Sequence, residues 1–352
     1  MKLYHFIIFI FFFVAFFSSC STDVDIYAEY KDVAIIYGML DNRADTNFIK
    51  ITRAFCGTND NPINANEVAM VYDSSNYPGK LDARIIELKS IHGGPYEPTG
   101  REFALDTITK RNKEEGTFYS PSQLFYYTTE RFNTGTSNDR FKYRLVVVKP
   151  DGDTVTAQTT MVGNEEFGIM SSNANFQLMP SNVLEKIIFK ADGVAQLYDV
   201  KIQFNYSEQH AGQEMKWKNV SRSFGTKPIN EYNKVEGAEN LYYLEYSVNW
   251  LFNALKGAIG GDTIVDGNHP NVIRHIGSLV LSISAGGYEM YIYYSANQAQ
   301  QNSPMSLVSV YSNIDGGYGL FSSRTTIKKS VKLSYYATRD IFSVTAWGFK
   351  EQ

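Results

Sequence analysis

Val200-Lys201-Ile202-Gln203-Phe204-Asn205-Tyr206 alternates apolar and polar residues without a break. Side chains of an extended chain point to opposite faces in turn, so this stretch predicts a strand with one face buried and one in water. A single wet face implies an antiparallel sheet, because parallel sheets are covered on both sides. Met215 to Phe224 reads as the partner strand, and Leu279, Leu281, Ile283 and Ala285 repeat the alternation.

Working outward, the same pattern recurs toward the N-terminus. Val33 to Leu40 is a short apolar run, and Ile49, Ile51 and Phe55 alternate with Lys50 and Thr52. Ala83 to Lys89, Phe103 to Ile108 and Leu124 to Phe132 continue the series. Tyr143 to Val148 and Thr154 to Ala157 flank Pro150-Asp151-Gly152-Asp153, and Asp-Gly supplies the positive backbone angles of a tight hairpin. The 25 tyrosines and 23 phenylalanines suit pleated, half-buried surfaces. Two helices interrupt the strands. Leu251, Ala254, Leu255, Ala258 and Ile259 form one apolar stripe, ended by Gly260-Gly261, and Tyr288, Tyr291, Ile292 and Ala296 repeat the spacing more weakly. The stretch Val308 to Trp347 reads as strand again. The expected fold is mainly β. It has two antiparallel sandwich-like domains, an immunoglobulin-like one at 33–165 and a second at 180–352 with a small helical insert.

The first residues carry an address. Lys2 precedes twelve uninterrupted apolar residues, Phe6 to Phe17. A membrane-spanning helix needs about 20 such residues, so the run reads as a secretory signal over 1–19. Ser18-Ser19-Cys20 resembles the bacterial lipobox, with Phe17 standing where that motif has leucine. The resemblance implies that the Cys20 thiol is lipidated and becomes the new N-terminus, anchoring the chain to a membrane. Residues 20–32, with Asp23, Asp25 and Glu29, read as an acidic tether.

A second resemblance lies near the C-terminus. Asn313-Ile314-Asp315-Gly316-Gly317-Tyr318-Gly319-Leu320-Phe321 resembles the closing motif of a family of Bacteroidota lipoproteins of unknown function. The strand and tyrosine-bearing helix of Leu279 to Gln298 are similar to that family too, as is the Tyr143-x-Leu145 strand with its Gly152 hairpin. The resemblance implies a two-domain, β-rich lipoprotein of the outer membrane, an accessory to surface transport or secretion.

Composition and motifs narrow the chemistry. A net charge of −4 without a basic block argues against nucleic acid as a partner. Cys56 has no partner other than the lipidated Cys20, so no disulfide framework is expected, and we read it as an inert buried thiol. Gly316, Gly317 and Gly319 lack the Lys-Ser/Thr of a phosphate loop and read as turn residues before an aromatic plug. Asp262, Asp266 and Asn268, beside His269, lack calcium-loop spacing. No histidine pair has zinc-ligand spacing, so neither metal nor cofactor is expected. Tyr242, Tyr243, Tyr246 and Trp250 suit stacking on sugars or seating a partner protein, and equally suit a sandwich core.

The expected function is a lipid-anchored, non-enzymatic envelope protein, in the periplasmic or surface leaflet of the outer membrane, that binds a partner protein or a glycan. The alternatives are a surface hydrolase with acidic residues assembled from distant strands, and a structural spacer.

Overall fold

A computed structural model describes residues 32–55, 65–136, 138–171, 184–247, 249–259, 272–301, 311–333, 335–343 and 347–350. Residues 1–19, Cys20, Cys56 and residues 260–271 lie outside the described residues. The alternating stretch Val200–Tyr206 is the centre of β11 (Leu197–His210), which pairs antiparallel with β12 (Lys216–Pro228) and β15 (Val272–Gly286). Val200, Ile202, Phe204 and Tyr206 are buried, and Lys201 faces water. β15 then pairs with β17 (Gly317–Val331), and β17 runs parallel to β1 (Ala34–Asp41). The sheet continues through β2 (Asn47–Arg53) and β6 (Gln123–Thr128) to β5 (Asp106–Lys110), giving eight strands.

Two smaller sheets lie against this large one. The five-stranded sheet joins β16 (Ile314–Asp315), β8 (Thr154–Thr160), β7 (Asp139–Val148), β3 (Asp82–Ile91) and β4 (Glu97–Ala104) in that order. Its apolar face, with Ile85, Leu145 and Val155, meets Ile36, Ile49 and Phe321 to form a first core. The four-stranded sheet joins β13 (Asn233–Lys234), β14 (Leu241–Ser247), β10 (Leu184–Lys190) and β9 (Gly168–Ile169). With helices α3 (Asn249–Ile259) and α5 (Tyr335–Ser343), it buries a second core around Phe189, Phe204, Leu281 and Ile327. The short helices α1 (Ala65–Ala69) and α2 (Tyr72–Ser75) precede β3, and α4 (Tyr288–Gln301) follows β15.

The two cores share one strand. Along β17, Phe321 faces the first core and Ile327 and Val331 the second, while Ser323 and Thr325 between them are fully buried. Ser323 Oγ donates to the Thr160 carbonyl at 2.6 Å, and Thr325 packs against Gly163, where an added Cβ would lie 3.0 Å away. Next to this polar seam, the buried Asp192 carboxylate accepts from the backbone N–H of Gly163, Asn164 and Val194 at 2.7–2.8 Å. These bonds hold the crossing from one sandwich to the next. The expected units at 33–165 and 180–352 are therefore not separate in sheet terms, because residues 314–321 complete the first sandwich from the far end of the chain.

The helical stripe of Leu251, Leu255 and Ile259 is buried as expected, and the Asp-Gly hairpin closes with Gly152 at φ +89°. Tyr143, midway along β7, accepts at its hydroxyl from the Asn133 backbone N–H at 2.6 Å and donates to Glu87 Oε2 at 2.8 Å. The short helices α1 and α2 were not expected, and a longer element also differs. Tyr335 to Ser343 is helix rather than strand, because Ala337, Asp340 and Ile341 are buried at helical spacing.

Candidate functional site

The tyrosine group does not form an exposed platform. On β14, Tyr246 is 5% exposed, and Trp250 at the start of α3 is 6% exposed. The Tyr246 ring lies 5.7 Å from Phe224, and Tyr242 stacks on Phe189 at 6.2 Å. Tyr243, on the other face of the strand, sits 4.2 Å beneath the Lys186 ammonium. Strand alternation sends Tyr242 and Tyr246 inward and Tyr243 outward, so the four rings share no surface. Of the two readings open for this group, Tyr246 and Trp250 take the core one.

The C-terminal motif is a corner that carries the chain between the sheets of the first sandwich. Ile314 pairs with Ala157 in the five-stranded sheet, and three residues later Gly317 pairs with Ala34 in the large one. Gly316, at φ +78°, makes the turn. Asn313 braces it: its side-chain amide donates to the Phe321 carbonyl at 2.7 Å and accepts from the Phe321 N–H at 2.9 Å. The Phe321 ring then covers Gly38 on β1, where a Cβ would approach it to 2.9 Å. Asn313, Ile314, Gly316, Gly317 and Phe321 are thus occupied in building the fold, while Tyr318 is 59% exposed. Phe321→Ala is expected to cost about 3–5 kcal/mol, measured by urea unfolding, as for other buried aromatics.

A cavity of about 430 Å³ opens on the outer face of the first sandwich. Ile35, Lys50 and Thr52 project into it from the outward positions of β1 and β2, and Arg53 and Phe55 extend the wall past the end of β2. Ser75 and Asn76 at the end of α2, with Lys113, Phe118 and Tyr119 ahead of β6, complete the lining. A groove of about 270 Å³ continues along the face past Tyr37, Met39, Phe48 and Phe125, sharing Lys50. Volumes of this order suit a small organic ligand.

The charge here is one-sided. Among the described residues no carboxylate pairs with Lys50, Arg53, Lys110 or Lys113, on a chain that is acidic overall. Lys50 donates to the neutral Gln123 Oε1 at 3.2 Å, and Lys113 to the Tyr119 carbonyl at 2.7 Å. Burial, and secondarily the Lys113 charge, lower the Lys50 pKa to about 8. Arg53 Nη2 donates to the Asp73 carbonyl at 2.7 Å, while its buried Nε has no acceptor among the described residues. Aromatic rings supply part of the missing counter-charge: Lys50 lies 4.9 Å from the Phe125 centroid, and Lys110 lies 3.6 Å from that of Phe48.

Sequence reasoning did not find this cavity. Lys50 reads as the ordinary wet position of an alternating strand, and only the basic run Lys110-Arg111-Asn112-Lys113 hinted at local positive charge. Among the described residues, no group of three or more His, Cys, Asp or Glu side chains can hold a metal ion, and no helix is long and apolar enough to cross a membrane. No family model matches the chain, and no curated protein matches its sequence. Fold and site together define a mainly β protein with two sandwich cores on one sheet and a cationic, ring-lined cavity.

Proposed function

We propose that the chain is a lipid-anchored, non-enzymatic protein of the outer membrane whose first sandwich binds a glycan or a partner protein, as an accessory to surface transport or secretion. The observation that carries this is the cavity on the large sheet, lined by rings and by cations that no described carboxylate pairs. The short apolar leader ending at Cys20, and the resemblance of the 313–321 corner to lipoproteins of the Bacteroidota, support the location.

Two measurements test the proposal. Cys20→Ser is expected to move the protein from the membrane pellet to the soluble fraction and to remove the mass of the acyl chains. Two or more chains anchor firmly, at about 0.8 kcal/mol for each buried methylene, and nothing else in this proposal holds the chain to the membrane. The full chain, displayed to a glycan array and crosslinked in intact cells, is expected to capture an acidic glycan or an envelope protein. A blank array together with no envelope crosslink would overturn the binding role.

A further inference from the structure

We infer that the cavity takes a ring-bearing organic anion, with its carboxylate, sulfate or phosphate group held between the ammonium groups of Lys50 and Lys113 and its flat body against Phe118 and Tyr119. This rests on the binding role just proposed and names the ligand class. Two ammonium groups and a guanidinium that share a partly desolvated cavity repel one another, and no acid among the described residues relieves them. Such unrelieved like charge costs stability in the empty protein, and an entering anion removes the cost. Lys50 spends one donor on Gln123 and Lys113 one on a carbonyl, which leaves hydrogen-bonding capacity on each ammonium. Arg53 Nε is a further donor at the wall.

The body of the ligand follows from the rest of the lining. Phe55 and Phe118 meet edge to face at 6.2 Å, and Tyr119 packs on Tyr72 at 5.3 Å, so the rings are held in place before any ligand arrives. A volume of about 430 Å³ exceeds what a bare inorganic ion fills, and apolar walls favour a molecule that buries a ring along with its charge. An acidic sugar and an aromatic acid share this chemistry.

Binding is also linked to pH. An anion favours the charged form of Lys50, so wherever the ligand stays ionised its affinity declines as the pH rises through about 8, the value at which free Lys50 loses its proton. The other charged or titratable groups near Lys50 are Lys113 and Tyr119 ahead of β6, Lys110 on β5, Arg53 on β2 and Tyr37 on β1. All but the two tyrosines are cations, and a phenol that loses its proton at high pH weakens anion binding in the same direction as Lys50 does.

The test is calorimetric titration of the full chain, in detergent, with 2-naphthoate and with digalacturonate, against the neutral 2-naphthalenemethanol and digalactose. At least one anion is expected to bind roughly ten- to a hundredfold more tightly than its neutral counterpart, the scale of a charge-assisted hydrogen bond. Lys50→Gln and Lys113→Gln are expected to lose that advantage while melting at or above the wild-type temperature, because each removes like charge. Lys186→Gln, on the second sandwich, serves as the control and should bind as wild type does. Anions and neutral compounds binding equally would overturn the anion assignment and leave the cavity as a binding site. If no compound binds at millimolar concentration, the assignment fails and the binding role loses its site. Unchanged anion affinity in both lysine variants would also overturn the assignment.

Discussion

Replacing Gly319 with alanine is expected to remove about 4 kcal/mol or more of stability, enough to unfold much of a marginally stable population. Gly319 adopts φ +125°, and an added Cβ would lie 1.9 Å from the Ile36 carbonyl oxygen and 2.8 Å from its carbon. Both atoms belong to the backbone of β1, so no rotamer change relieves the clash and the parallel β1·β17 pairing has to open. The backbone conformation alone costs an alanine about 1–3 kcal/mol. Gly152→Ala separates the two contributions. It too has a positive φ, +89°, but nothing lies within 4 Å of the added Cβ, and it is expected to lose only about 1 kcal/mol. Urea unfolding of both variants is the measurement. Equal losses would mean that close approach between β17 and β1 contributes nothing.

The second large effect is at Arg274. This side chain is 1% exposed, and its carboxylate partner Glu208 is 3% exposed. Arg274 Nε donates to Glu208 Oε2 at 2.7 Å, and Nη1 donates to the Trp347 carbonyl at 2.7 Å. The Arg274 backbone also bonds Gly348 and Lys350, each at 2.9 Å, so the residue ties the chain end onto β15. Glu208 is further bonded by His210 at 2.9 Å and by Lys218. Arg274→Met leaves a buried carboxylate short of its main partner and is expected to cost about 3–5 kcal/mol. The double variant with Glu208→Met is expected to cost less than the two single changes added together, since no buried charge then remains.

The same network sets an acid limit. Burial by itself raises the Glu208 pKa, but hydrogen bonds from Lys218, His210 and Arg274 outweigh it and bring the value down to about 2. A carboxyl depressed in the folded state contributes stability that is complete above its ordinary value of 4.5 and is lost as the pH falls toward about 2. Denaturation midpoints followed from pH 6 downward are expected to drop across that window in the wild type, and much less in Glu208→Gln.

Much of the architecture was legible because it is written locally. Strict alternation at Val200–Tyr206 and Leu279–Ala285 names strands and their buried faces, and the Leu251–Ile259 stripe names a helix. Asp151-Gly152 marks a turn that only certain residues accept. Pairing between β1 and β17 was not legible, because its partners are some 280 residues apart and a parallel pair needs no turn signal between them. The segment 335–343 reads as strand because its tyrosines suit either structure, and only packing of Ala337 and Ile341 against the second core decides. The tyrosine group shows the same limit: composition names rings, and sheet register decides which of them face water. The cavity was hidden for a related reason. Lys50 and Lys113 lie on a strand and on a segment two strands away in the sheet, and each alone is an unremarkable surface lysine.

The central claim, that the outer face of the first sandwich is where this protein meets its ligand, is tested most directly by backbone hydrogen exchange with and without saturating 2-naphthoate. Slowed exchange confined to residues 50–55 and 113–123 is the predicted result. Protection at 241–247 and 249–250 instead, with the cavity unaltered, would contradict it.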